Sequence, residues 1–122
     1  MQQIVYLMGQ GIMTSLRYLS NYVCVIEAPK IMPLKERIIL KEYATFKVIC
    51  STVEGSAPLY YTWLRNNEPI SSTLNTEVNT FENTQSTLIL KNIDSTHSGN
   101  YTCNVRNSFG HDKVTVNLHV KG

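Results

Sequence analysis

Cysteine offers the most distinctive chemistry in this chain, and its count is odd: Cys24, Cys50 and Cys103 make one pair with one residue left over. The three histidines, His97, His111 and His119, come next, as candidate metal ligands. The last two lie eight residues apart on one extended run, about 27 Å, so they share no ion. The acids Glu36, Glu42, Glu54, Glu68, Glu77, Glu82, Asp94 and Asp112 fall mainly on turns and outward strand phases, with no two placed to share a proton. Neither a nucleophile elbow, nor a glycine-rich phosphate loop, nor zinc-ligand spacing is present. The sequence points away from an enzyme and implies no metal, cofactor or small-molecule substrate. One modification motif stands out. Asn100-Tyr101-Thr102 is an N-glycosylation acceptor with Asn100 on an outward phase.

The elements that must position these residues are small. A chain of 122 residues makes one ordinary domain or a smaller domain with a tail, and 43% apolar content is enough for a core. The formal charge is only +2 and the basic residues are spread thinly along the chain, so a dedicated nucleic-acid binder is a poor reading. No apolar run approaches 18 residues. Residues 1–28 differ from the rest. Their apolar residues come in bursts broken at Gly9-Gln10-Gly11, with no basic residue near Met1. That is an imperfect secretory leader or a segment foreign to the mature protein. The expectation is that it stays poorly ordered against the rest, is dispensable for folding, and carries Cys24 as the unpaired cysteine.

From Pro29 to Gly122 the texture is short runs of period two. Phe46, Val48 and Cys50 alternate with polar or outward neighbours, as do Tyr61 and Trp63, Leu88 and Leu90, Tyr101, Cys103 and Val105, and Val114, Val116, Leu118 and Val120. Turn signals separate them at Glu54 to Pro58, Asn66-Asn67, Ser98-Gly99 and Asn107 to Gly110. Half-buried strands without intervening helices predict an all-β, two-sheet antiparallel sandwich or a barrel.

Cys50 and Cys103 both fall on the apolar phase, Trp63 follows Cys50 by 13 residues, and Tyr101 precedes Cys103 by two. Two inward cysteines on facing sheets under an indole form the pin of an immunoglobulin sandwich, and the tyrosine is placed for its corner hydrogen bond. A bridge between them is worth roughly 4 kcal/mol in the chain-entropy model. Residues Cys50, Trp63, Leu88-Ile89-Leu90, Asp94 and Ser98 to Cys103, with Asn107-Ser108-Phe109-Gly110 behind them, resemble an immunoglobulin domain of the intermediate set. The string His97 to Cys103 resembles more particularly the arthropod Down syndrome cell adhesion molecules. The resemblance covers residues 29–122. It departs at His97, where many such domains carry Asp, so the salt bridge of that Asp is not expected here.

The resemblance implies an extracellular protein-recognition module of a cell-adhesion receptor, binding another copy of the same domain or receptor in neuronal wiring and self-recognition. It implies a location on the outer side of the plasma membrane as part of a longer receptor, or secretion. The end of the chain at Lys121-Gly122, directly after the last strand, fits one module of something longer, or a fragmentary gene model. Two rivals remain: a structural module of an intracellular titin-like muscle protein, and a secreted immune-type binder. Two inward cysteines and a sequon lean against the first. Two surfaces are candidates for binding. Ile49 and Ile89 fall on outward phases of neighbouring strands, ringed by Lys47, Thr87 and Lys91; on the opposite sheet stand Tyr60, Leu64 and Arg106.

Overall fold

The alternating runs become strands of two facing sheets. The computed structural model describes residues 14–19 and 22–122, with side chains from Ile26 onward. A separate antiparallel pair comes first, β1 (Thr14–Leu19) and β2 (Tyr22–Glu27). The sandwich follows: β3 (Lys30–Ile31), β4 (Arg37–Lys41), β5 (Phe46–Glu54), β6 (Tyr60–Arg65), β7 (Glu68–Pro69), β8 (Thr76–Phe81), β9 (Gln85–Leu90), β10 (Gly99–Asn107) and β11 (Gly110–Lys121). One sheet has the order β3-β5-β9-β8 and the other β4-β11-β10-β6-β7. In immunoglobulin letters these are A-B-E-D and A′-G-F-C-C′.

The first strand is split between the sheets. β3 runs antiparallel to β5, whereas β4 runs parallel to β11. Pro33, with no N–H to give to either ladder, falls in the crossover. Ile38 and Leu40 of β4 turn onto the core, which leaves Arg37, Ile39 and Lys41 facing out.

Between the sheets lie Phe46, Val48, Leu88, Leu90, Trp63, Tyr101, Val105, Val116 and Leu118, all buried. The Cys50–Cys103 disulfide joins β5 to β10 across this layer, with the two Cα atoms 6.4 Å apart. Trp63 packs in the same core, and its indole N–H donates to Ser86 Oγ at 2.9 Å. That bond satisfies the one polar atom that burying an indole would otherwise strand.

The turns follow local chemistry. Asn66 and Asn67 both take positive φ between β6 and β7, as a two-residue hairpin of the primed type requires. Asn66 Oδ1 also accepts the Asn100 N–H at 2.9 Å, and the side chain lies against Gly99. Gly99 has φ +156, a conformation that favours glycine, and a Cβ there would stand 3.0 Å from the Asn66 amide, which would have to shift. In the β10–β11 hairpin Asn107 Oδ1 accepts the N–H groups of Phe109 and Gly110.

Residues 1–13, with any leader character, lie outside the described residues, as does the Cys24 thiol. The backbones of 14–19 and 22–27 nonetheless pair as strands, with Cys24 opposite Arg17. Tyr22-Val23-Cys24-Val25-Ile26 is β-branched and aromatic enough to extend without an alternating pattern. The junction is tied to the sandwich: the Glu27 carbonyl accepts the Ser56 N–H and the Asn107 side-chain amide, and the Glu27 N–H donates to Ser56 Oγ.

Candidate recognition surface

The corner that fixes the ends of β9 and β10 is built by Asp94, His97, Tyr101 and Arg65. Asp94 caps a single 3₁₀ turn, Ser95–His97, by accepting the Thr96 N–H at 2.9 Å. The Thr96 hydroxyl, then its N–H, hold the Asp94 carboxyl below the usual range of aspartate. His97 completes a capping box. Its Nδ1 accepts the Asp94 N–H at 2.9 Å, work usually done by Glu or Gln. Tyr101 donates its hydroxyl to the His97 carbonyl, which is the tyrosine corner. Arg65, which sequence reasoning passed over, lies 5.9 Å from the Tyr101 ring centre and donates to the carbonyls of Thr96 and Ser98. Burial raises the Tyr101 phenol and the Arg65 charge opposes the rise. In place of the salt bridge that Asp would make, the corner is held by a guanidinium on backbone carbonyls.

That corner frames two outer faces. On the A-B-E-D sheet the register sets Ile49 opposite Thr87 and Lys47 opposite Ile89, so the two isoleucines are diagonal neighbours. Diagonal side chains lie within reach of one another. Ile49 is 44% exposed, and Ile89, on a central strand, is half-buried. Two of the residues expected around them behave differently. Thr87 has Ile49 on one side and Asn79 on the other and is only 6% exposed, so it forms floor and not rim. Lys91 stands beyond the end of β9 and pairs with Glu77 at 3.4 Å, both about half exposed. Such a pair contributes little.

The sequence reading missed three apolar members of this face. Phe81 at the end of β8 is 60% exposed, and Val53 on β5 and Met32 beyond β3 are also exposed. A shallow groove of about 520 Å³ runs between Ile49, Ile89, Phe81, Gln85, Asn79 and Lys47. The run Thr76 to Phe81 is mostly polar and was not recognised as a strand; its signal was the Glu82-Asn83 turn before the clear Thr87–Leu90 alternation.

On the opposite sheet Tyr60 and Arg106 are register partners, and the guanidinium lies 5.1 Å from the ring centre. Leu64 is further down β6 opposite Thr102 and is half-buried, so it does not join them. Asn100 is exposed on β10, and its Oδ1 accepts from Asn117 at 2.8 Å. Thr102, the third sequon residue, is buried with its hydroxyl on Thr115 at 2.8 Å.

A disulfide-pinned sandwich whose first strand crosses between sheets, closed by a tyrosine corner, defines an immunoglobulin domain of the intermediate set. A family model described as immunoglobulin domain matches residues 28–107, and the chain belongs to that family. Among curated proteins it is similar to the cell adhesion molecule Dscam2 of Drosophila melanogaster, 32% identical over 102 residues, which is 84% of this chain and 5% of that protein. It is also similar to the cell adhesion molecule DSCAM of Rattus norvegicus, 36% identical over 58 residues, covering 48% of this chain and 3% of that protein. The chain thus spans about a twentieth or less of these relatives. Among solved structures, the Dscam1 Ig7 domain, isoform 5, superposes with a TM-score of 0.69 at 21% identity, over 77% of this chain and 97% of that one. The titin I-band fragment I67-I69 gives 0.72 at 18% identity, over 92% of this chain and 50% of that one. At these identities the structural likenesses establish the fold alone.

Proposed function

We propose that this domain is an extracellular recognition module of a cell-adhesion receptor and that it binds a second copy of itself through the outer face of the A-B-E-D sheet. The observation that carries the reading is the apolar set of exposed Ile49 and Phe81 and half-buried Ile89 around one groove. Outward positions on a solvated sheet gain nothing from such residues unless something covers them, since Thr or Lys would serve the strands equally well. Covering these three part-buried side chains is worth on the order of 3 kcal/mol before association costs. That decides a weak contact and does not make a tight one. The similarity to Dscam2 supports adhesion as the setting, and the Cys50–Cys103 disulfide supports an oxidising compartment over the reducing one of a titin-type module. The Tyr60–Arg106 face of the other sheet is less suited to a dry contact, because the glycan acceptor Asn100 stands on it.

The test is aggregation of beads carrying the full chain in tandem array. Ile49→Lys with Ile89→Lys abolishes aggregation and leaves the melting temperature nearly unchanged. If that double variant aggregates normally while Tyr60→Lys does not, the binding face is on the other sheet.

A further inference from the structure

The basic residues that look scattered along the sequence are collected by the fold. On the A′-G-F-C-C′ sheet the outward positions of β11 are His111, Lys113, Thr115, Asn117, His119 and Lys121. Their register partners bring Arg106 beside His111 at one end, and Arg37 and Lys41 beside Asn117 and Lys121 at the other. Five Lys and Arg side chains and two histidines therefore share one face, and all seven are exposed. None of the nine Asp and Glu residues of the chain occupies an outward position there. Glu36 and Glu42 flank β4 off its outward phase. Asp112 turns to the other side of β11, where its carboxylate accepts the Ile31 N–H at 2.8 Å. Among the described residues none of the five Lys and Arg forms an ion pair, whereas Lys91 on the other sheet has one. The remaining six Lys and Arg are outnumbered by the acids, so the net charge of +2 hides a polarised molecule.

We propose that this face binds a linear sulfated polysaccharide lying along β11. The outward positions from His111 to Lys121 span about 34 Å, a track and not a pocket. Thr115 lies between its two cationic groups, and Asn117 beside Arg37 adds a second neutral hydrogen-bonding side chain. A polymer with spaced sulfates and intervening hydroxyls matches both parts. Tyr60 beside Arg106 adds an exposed aromatic ring at one end, on which a sugar ring can rest. A second copy of the chain is a poor occupant, because its opposite face offers Lys47, Lys91 and apolar side chains and no carboxylate cluster. Guanidinium and ammonium groups suit sulfate because they supply several donors without competing acceptors.

The experiment uses the full chain secreted into an oxidising bacterial compartment, where Asn100 stays unmodified, and measures binding to immobilised heparin against salt. Arg106→Gln with Lys113→Gln, and Lys41→Gln with Lys121→Gln, should each weaken binding at least tenfold near physiological salt. Each pair should also lower the slope of log affinity against log salt by about two, one for each lost ionic contact. Lys47→Gln with Lys91→Gln on the other sheet should change affinity less than twofold. Melting temperatures within about two degrees of the parent keep unfolding out of the reading. Equal loss from the control pair would show attraction to net charge alone and overturn the proposal. Binding to desulfated heparin or to poly-glutamate as tight as to heparin would overturn it too, the latter naming an acidic protein as occupant. Duplex DNA displacing heparin at equal charge would do the same.

Discussion

Ser86 is the residue on which the indole of the core depends, and replacing it tests the account of the pin. Trp63 is 5% exposed and Ser86 fully buried, and among the described residues the partner of the indole N–H is Ser86 Oγ at 2.9 Å. Ser86→Ala removes the acceptor and leaves that donor without a partner in the buried layer between the sheets. A stranded buried donor costs about 1–3 kcal/mol, against about 1 for the hydrogen bond in net terms. Thr80, which shares the Ser86 hydroxyl at 2.9 Å, is on an exposed edge strand and recovers its bond with water, so it adds little. About 2 kcal/mol is expected, or a fall of about 8–16 °C in melting temperature for a domain of this size. Trp63→Phe removes the donor and brings its own packing loss. In the Trp63→Phe background Ser86→Ala should therefore cost almost nothing, giving a coupling energy of about 1–2 kcal/mol. Urea unfolding followed by far-ultraviolet circular dichroism, which does not depend on the tryptophan, measures all four proteins at matched m values. A Ser86→Ala cost below about 0.5 kcal/mol, or strict additivity with Trp63→Phe, would refute the claim that this bond satisfies the indole.

Three further outcomes follow from the same geometry. Cys103→Ser removes the disulfide and should cost roughly 2–5 kcal/mol, read by denaturant midpoint, with little folded protein left at 37 °C. Asp94→Asn keeps an amide oxygen as cap and removes only the charge. Because the folded carboxyl titrates below its unfolded value, its stabilisation is complete above the unfolded pKa and is lost as pH falls through the folded one; the melting difference between parent and variant should shrink to zero on acidification. A chain beginning at Pro29 loses the Glu27 carbonyl that holds Ser56 and Asn107, a pair of part-buried contacts worth about 1 kcal/mol together. Its melting temperature should fall by about 4–8 °C, whereas a chain beginning at Ile26 should melt like the parent; equal melting of the two would mean that the junction contributes nothing.

What the sequence made legible was whatever alternation writes down directly. Period two sorted Cys50, Trp63, Tyr101 and Cys103 inward, because each sits on a strand with one dry face, and the disulfide and corner followed from that phase. It also sorted Ile49 and Ile89 outward, but phase says nothing about what stands on either side. Thr87 shares the outward phase and is nevertheless covered, since a central strand has neighbours at both edges and an edge strand has one. Phe81 was lost because its strand is mostly polar, with a single apolar residue on each face, Val78 inward and Phe81 outward, so it carries no alternating pattern. The basic face was lost for a different reason. Its residues come from β4, β10 and β11, separated by up to about 80 positions in the chain, and only the parallel joining of β4 to β11 makes them neighbours. A strand that changes sheets is dictated by a few residues around Pro33 and decides the electrostatics of a whole face. Two functions can thus occupy one small sandwich without competing, an apolar contact on one sheet and an anionic polymer on the other. The 10 Å of packed core between the sheets is thick enough for each face to be altered without disturbing its opposite.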